Sequence, residues 1–245
     1  MFDPSVLERI DVIAHSGIRI GGETIIYIDP VKFTGAPHDA DLILFTHPHF
    51  DHFSPRDVKK LMKDSTVIAA PKSMAPMIRM MLRKKPVSLL PGQRTELAGI
   101  PVSTVAAYNK AKPMHLKAMK WLGYILTIGD TAVYVSGDTD LTDECRSVTC
   151  DIALLPVGGF YTMDPVQAAA LANTIQPHTV IPLHYGRLLG GEDAAERFRS
   201  TLNPEIHADI RPSACSNIMV SMYAAAAVLL ALGVLLGILA QSFLT

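Results

Sequence analysis

Apolar residues along the chain form two kinds of pattern, which predict strands and helices in alternation. The segments 41–46, 152–157 and 179–183 each contain a continuous apolar run, as in strands buried on both faces. Ser54-Pro55 and Asp164-Pro165 each place a capping residue before a proline, which predicts a helix start at each position. Alternating strands and helices of this kind indicate an α/β fold.

Weaker patterns complete the predicted order of elements. Strongly apolar segments on either side of Gly129-Asp130 predict a hairpin of strands 123–128 and 132–136. The second capped helix runs from Asp164 to about residue 175, and further helices are predicted at 73–83 and 192–202. The remaining strands are predicted at 11–20, 24–29, 66–70, 88–90, 102–107 and 206–210.

The C-terminal part of the sequence differs from the rest, because Arg211 is the last charged residue and 218–240 is almost wholly apolar. This length suffices to cross a bilayer core of roughly 30 Å. We therefore divide the chain into a catalytic domain, 1–211, and a transmembrane anchor, 217–241. The alternative is a helix buried in a soluble oligomer, and the GxxxG step at Gly233 and Gly237 can pair helices in either case.

Charge and cysteine content indicate the cellular compartment of the protein and the partners it can have. Arginines precede the apolar segment and no charge follows it, so we expect a single-pass protein of the cell membrane whose catalytic domain faces the cytoplasm. The net charge of −1 comes without any basic stripe, which argues against a nucleic-acid partner. Three cysteines without a CxxC pair favour a reducing compartment.

The candidate chemistry lies at the ends of predicted strands. His47, His49, Asp51 and His52 follow the strand at 41–46 within six residues, Asp138 follows the strand at 132–136, and His184 follows the strand at 179–183. Carboxyl ends of strands converge on one edge of a layered fold, so these side chains are expected to meet. Imidazoles and carboxylates suit zinc, and also manganese or iron.

These motifs resemble the metallo-β-lactamase superfamily, whose HxHxDH signature is similar to the segment 47–52. More narrowly, Ser136-Gly137-Asp138-Thr139-Asp140 and Pro182-Leu183-His184-Tyr185-Gly186 resemble metal-dependent hydrolases related to L-ascorbate-6-phosphate lactonase and N-acyl-phosphatidylethanolamine phospholipase D. The resemblance implies an αββα sandwich with two divalent metal ions at one edge. It assigns His47 and His49 to the first ion, Asp51, His52 and His184 to the second, and Asp138 to both.

One ligand of the first ion departs from the superfamily pattern. Many members have a histidine at the end of the strand before the Gly123 hairpin, whereas this chain has Ala107-Tyr108-Asn109 there. Asn109 can offer an amide oxygen, and His115 can fold back from the following loop. We favour His115, because a neutral imidazole binds these metals better than an amide does.

The expected reaction is hydrolysis of an ester-type bond by a hydroxide held between the two metal ions. Asp51 is expected to orient or receive the proton of the attacking water. His15 and His115 are candidates for the proton donor, although His15 is equally explained as a strand-end residue bonded to backbone. The substrate is expected to be a small molecule or a lipid, cleaved at a phosphodiester or a lactone. A membrane-tethered, non-catalytic metal-binding or scaffold protein is the alternative.

Overall fold

The computed structural model describes residues 2–112, 114–186 and 190–211 and contains two β-sheets. The first sheet has six strands, which are β1 (Ile10–Ala14), β2 (Gly17–Ile20), β3 (Ile26–Ile28), β4 (Ala40–Leu44), β5 (Met62–Pro71) and β6 (Val87–Leu89). The second has seven, which are β7 (Arg94–Leu97), β8 (Ile100–Ala106), β9 (Leu122–Ile128), β10 (Thr131–Val135), β11 (Ile152–Pro156), β12 (Thr179–Leu183) and β13 (His207–Ala208). In both sheets, spatial neighbours are also neighbours in sequence.

In the described part of the chain, six α-helices accompany the sheets: α1 (Ser5–Glu8), α2 (Pro55–Leu61), α3 (Ala75–Leu82), α4 (Asp143–Arg146), α5 (Pro165–Ile175) and α6 (Ala194–Thr201). The two capped starts are present as predicted. Ser54 accepts a hydrogen bond from the Asp57 amide at 3.3 Å, and Asp164 accepts one from the Gln167 amide at 2.8 Å. These bonds satisfy amide groups that the first helical turn leaves without partners.

Three apolar layers hold the elements together. Strand residues of both sheets, such as Ile18 and Leu154, share one core between the sheets. The α2 and α3 helices cover the outer face of the first sheet through Val58 and Ile78. The α5 and α6 helices cover the second sheet through residues such as Phe198. The predicted αββα sandwich is therefore confirmed.

The parallel part of each sheet explains why chemistry collects at one edge. Strands β3 to β6 pair in parallel, and so do β10 to β13. Their carboxyl ends, and the loops that follow them, therefore lie along the same edge of each sheet. This edge carries most of the candidate site.

Several predicted elements need correction. The segment 11–20 is two antiparallel strands, because His15 takes a left-handed conformation (φ 55°) and turns the chain back toward Ile18. The predicted helix at 73–83 begins with a 3-10 turn at Lys72–Met74 before α3. Strand β7 and the four-residue helices α1 and α4 escaped prediction, since short exposed elements carry little hydrophobic periodicity.

The predicted anchor, 217–241, lies outside the described residues. Among the residues that are described, no helix is both long and apolar enough to cross a membrane.

Candidate metal centre

The loop after β4 carries most of the candidate ligands, and local hydrogen bonds shape it. The amides of His52 and Phe53 both donate to the His49 carbonyl, at 3.0 and 2.8 Å. This turn brings His52 back toward His47, so that their ring centroids lie 4.0 Å apart. The ring of Phe53 packs edge-on against Phe45 at 5.0 Å and fixes the end of the loop to the core.

The loop after β10 approaches the β4 loop very closely, and a glycine makes this possible. Gly137 has φ 63°, and a Cβ atom there would lie 2.9 Å from the Leu122 carbonyl oxygen and 3.1 Å from Thr46 Cβ. Real Cβ atoms essentially never come within 3.0 Å of such an atom, so any other residue would push the two loops apart. Gly137 therefore sets the depth at which the next residue, Asp138, enters the site.

Left-handed backbone recurs around the centre. His15, Asp29, His115 and His184 have φ between 47° and 56°. Residues other than glycine rarely adopt this conformation, and such strain tends to collect at functional sites. Here each of the four positions follows a strand or lies in a loop, and each directs its side chain toward the same cluster.

The first group of possible ligands is formed by His47, His49 and His115, whose nitrogen atoms all lie within 4.8 Å of one another. Nε2 of His115 is 3.3 Å from Nε2 of His47. Two nitrogens that bind one zinc ion tetrahedrally at about 2.0–2.1 Å are themselves about 3.3–3.4 Å apart. The separation of these imidazoles therefore fits a common metal ion, although their ligation stays a prediction.

The side-chain nitrogen of Asn109, the other candidate for this position, is engaged elsewhere, whereas its Oδ1 is buried without a hydrogen-bond partner. Its side-chain amide donates to Asp140 at 3.1 Å and to the Tyr161 carbonyl at 2.8 Å. Its backbone amide donates to the His115 carbonyl at 2.8 Å. Asn109 thus braces the loop that carries His115.

Trp121 is part of this centre, and our sequence analysis missed it. Its ring lies 5.0 Å from the rings of His47, His49 and His115, and it is buried. An apolar wall of this kind limits the movement of the three imidazoles and keeps water away from one side of them. The only signal in the sequence was that the single tryptophan of the chain lies six residues after His115.

The second group is formed by His15, Asp51, His52 and His184, again with ligand atoms within 4.8 Å of one another. His184 Nε2 is 3.6 Å and His52 Nε2 is 4.0 Å from Asp51 Oδ2. His15 Nε2 lies 3.3 Å from the same oxygen, and the centroid of the His15 ring lies 3.8 Å from that of His184, with the two rings tilted by 47°. The structure therefore places His15 inside the centre.

Asp138 lies between the two groups. Its Oδ2 is 3.6 Å from His115 Nε2 and 3.9 Å from His47 Nε2 on one side. On the other side, Oδ2 is 3.2 Å from His184 Nε2 and Oδ1 is 3.4 Å from His52 Nε2. One carboxylate thus faces imidazoles of both groups, which is the arrangement that a bridging ligand requires.

Asp29 supports the centre from behind. Its Oδ2 accepts a hydrogen bond from His52 Nδ1 at 2.7 Å, and its Oδ1 accepts one from the Thr46 amide at 2.8 Å. The Thr46 hydroxyl also donates to Asp29, and it lies 2.9 Å from His47 Nδ1. With Nδ1 of His52 held in this way, Nε2 is turned toward the centre.

Electrostatics differ between the two groups. Burial lowers the pKa of His115 to about 4 and also lowers the pKa of His47 and His49. Burial also lowers the pKa of His184, but the Asp138 carboxylate outweighs this effect and raises it to about 9. Asp138 and Asp29 likewise hold the pKa of His52 well above its usual value. The three histidines of the first group are therefore neutral, whereas His52 and His184 of the second group bind protons.

The carboxylates of Asp51 and Asp138 are ionised in this setting. Burial raises the pKa of Asp138, but His184 and His52 hold it well below its usual range. Within the described part of the chain, Asp138 Oδ1 and the Nε2 atoms of His52 and His184 are buried without a hydrogen-bond partner. Unpaired buried polar atoms that face one point are costly unless something binds there. The donor set therefore fits divalent metal ions with nitrogen and oxygen ligands.

Comparison with known proteins relates this geometry to function. A family model described as a β-lactamase superfamily domain matches residues 9–184. A metal-dependent hydrolase from Methanosphaerula palustris is 30% identical over 198 residues, which cover 77% of this chain and 88% of that protein. A metal-dependent hydrolase from Nitratidesulfovibrio vulgaris is 32% identical over 213 residues, covering 79% and 87%.

A solved structure shows the same likeness in three dimensions. The crystal structure of a metal-dependent hydrolase from Parabacteroides distasonis superimposes with a TM-score of 0.70 at 30% sequence identity. The superposition covers 83% of this chain and 92% of that protein.

Proposed function

This chain belongs to the metallo-β-lactamase superfamily and is a metal-dependent hydrolase, and we propose that it cleaves an ester-type bond with two divalent metal ions. Zinc is the first choice, with manganese and iron as alternatives. The observation that carries the proposal is the position of Asp138 between two groups of imidazoles. A centre with a single ion would need only one of these groups.

The proposed ligands follow from the two groups. His47, His49 and His115 hold the first ion, Asp51, His52 and His184 hold the second, and Asp138 contacts both. The 3.3 Å separation of the His115 and His47 nitrogens supports the first set. The hydrogen bond of Asp29 to His52 supports the second, since it fixes the ring with Nε2 turned inward.

When bound, two such cations supply a water molecule of lowered pKa and positive charge against a developing oxyanion. Asp51 is proposed to orient this water and receive its proton, because its carboxylate borders the second group of ligands. His15 lies 3.3 Å from Asp51 and is a catalytic candidate as well. Burial lowers the pKa of His15 to about 4, so at neutral pH it is uncharged and can accept a proton and pass it on.

The substrate is proposed to be a small molecule or lipid with a phosphodiester or lactone group. The test is to load the purified chain with zinc, manganese or iron, and to assay it against phosphodiesters, lactones and simple esters. Asp138→Ala should abolish any activity, whereas His207→Ala, which changes an exposed histidine, should not. A protein that contains no transition metal when isolated without chelator, and that takes none up, would contradict the assignment. Full metal loading without hydrolysis of any substrate would favour the scaffold alternative.

We also propose that 217–241 anchors a domain comprising 1–211 to the cell membrane, with that domain facing the cytoplasm. The segment 218–240, which has 23 residues and is almost wholly apolar, would be about 35 Å long as a helix, at about 1.5 Å per residue. Fractionation tests the anchor by comparing the full chain with a chain that ends at Ser213. If the full chain remains soluble after high-speed centrifugation without detergent, the anchor is wrong, and a soluble oligomer that buries its tails is favoured.

A further inference from the structure

Exposed apolar side chains concentrate beside the first group of histidines. Five of the nine large apolar side chains that are exposed in the described part of the chain belong to the loops around this group. We call these five residues the rim: Phe50, Met114, Leu116, Met119 and Phe160, each between 41% and 61% exposed. A soluble domain has no need to keep apolar side chains together in water, so the rim is a candidate contact surface.

The loops that carry the rim residues meet beside the same histidines. Phe50 and Met114 are sequence neighbours of His49 and His115, whose rings lie 4.7 Å apart. The Phe160 ring packs on Tyr161 at 4.4 Å, and Tyr161 lies 6.0 Å from His115. Apolar side chains from three separate loops therefore surround the same histidines. Anything that binds the rim also covers one side of the metal centre.

The charge of the rim identifies the kind of partner. Residues 110–120 contain four lysines and no acidic residue. Lys112 and Lys117 pair with Asp140 and Glu144 at 2.6 Å, whereas Lys110 and Lys120 are exposed on either side of the apolar residues. Apolar side chains flanked by lysines are typical of surfaces that enter the interface of an anionic bilayer.

The last described residues, 207–211, lead to the side of the domain that carries the rim. Strand β13 runs parallel to β12, so the chain advances toward the carboxyl edge as it passes from His207 to Arg211. The carbonyl of Arg211 accepts a hydrogen bond at 3.2 Å from the hydroxyl of Tyr185, the residue after His184. The described chain thus ends on the side of the domain that carries the metal centre.

We propose that the rim, together with Lys110 and Lys120, docks on the surface of an anionic membrane and holds the mouth of the metal centre against it. This contact is distinct from the proposed anchor, because it uses residues of the folded domain. It also stands apart from the hydrolase assignment, since it requires neither a metal ion nor a reaction.

The test measures lipid contact at the rim in the full chain. Met119→Cys is labelled with an environment-sensitive fluorophore in a chain that also carries Cys215→Ser. Cys145 and Cys150 are buried and should not react in the folded protein. The matched control is Ser65→Cys, an exposed position near the start of β5, at the end opposite the carboxyl edge. The vesicles contain phosphatidylcholine and phosphatidylglycerol, with a nitroxide-labelled lipid as quencher.

We expect quenching of at least about twofold at Met119 and little at Ser65. Replacing both Lys110 and Lys120 by Glu should reduce quenching at Met119 on anionic vesicles while the metal content stays unchanged, which shows that the fold is intact. Vesicle-bound protein without quenching at Met119, or with equal quenching at both positions, would overturn the proposal. So would a Met119 signal that changes with protein concentration in the absence of lipid, because it would assign the rim to a second copy of the chain.

Discussion

The two groups of candidate ligands face the same carboxylate but handle charge in opposite ways. In the first group burial dominates, and it keeps three imidazoles neutral, with the pKa of His115 lowered to about 4. At His52 and His184 of the second group the nearby carboxylates outweigh burial, and the pKa of His184 is raised to about 9. Without metal, the first group offers vacant lone pairs, whereas His52 and His184 carry protons and His15, whose pKa burial lowers to about 4, does not. A metal ion would therefore find the first group vacant and would displace protons at the second.

This comparison also explains how each group is supported. The first is surrounded by rings, with Trp121 at 5.0 Å from each of its three imidazoles. The second is held by hydrogen bonds, with Asp29 on His52 Nδ1. An apolar wall keeps ligands neutral, and a carboxylate partner makes an imidazole more basic. The nearest neighbours of each group thus account for its protonation.

The largest loss of metal and activity is expected on substitution of Asp138, which lies between the two groups. Asp138→Ala should remove metal from both groups, because its carboxylate faces histidines of each. Activity should fall by more than the ~100-fold that loss of a supporting residue causes. Elemental analysis and steady-state kinetics measure the two losses, with His207→Ala as the matched control. A variant that keeps both ions would show that Asp138 does not link the groups.

Removal of one imidazole should cost the protein the metal ion of one group only. His115→Ala is expected to lower the metal content from about two ions to about one, since it takes one of three ligands from the first group only. Asn109→Ala, the matched control, should retain both ions, because that side chain bonds to Asp140 and Tyr161 instead. If Asn109→Ala loses an ion and His115→Ala does not, our choice between the two residues is wrong.

The pH dependence of metal uptake should differ between the groups. Below a pKa of about 9 a proton occupies His184, so metal must displace it, and affinity should rise by up to about tenfold per pH unit from pH 6 toward 9. The pKa of His115 is lowered to about 4, so this residue is already neutral over that range and the first group should show little change. Calorimetric titration in buffers of different ionisation enthalpy counts the protons released. Equal proton release at both groups would show that their histidines do not differ in protonation.

The smallest loss of metal affinity is expected on substitution of Asp29, which lies behind the second group. Asp29→Asn keeps the shape of the side chain but removes the charge that raises the pKa of His52. We expect metal affinity to fall by about 10–100-fold at the second group and to change little at the first. Metal competition with a fluorescent chelator measures each affinity. An equal loss at both groups would mean that Asp29 acts through Thr46 on the whole loop, since Thr46 also contacts His47.

Much of the fold could be predicted because its elements are long or capped. Strand β12 coincides with the predicted segment 179–183, and α5 begins directly after the predicted cap at Asp164. The split of 11–20 into β1 and β2 was not predicted, since a left-handed histidine has no signature in the hydrophobic pattern. The same turn brings His15 to Asp51, so the missed boundary is also the one that matters for the site.

The sequence by itself determined the layered α/β fold and the positions of His47, His49, Asp51, His52, Asp138 and His184 at strand ends, because hydrophobic periodicity and local spacing are encoded over a few residues. Only the tertiary structure decided which side chains from distant segments meet. It set the Nε2 atom of His115 3.3 Å from that of His47, engaged Asn109 elsewhere, and packed Trp121 against both histidines. It also decided which histidines are neutral, because a pKa depends on burial and neighbouring charge, and these exist only once the chain has folded.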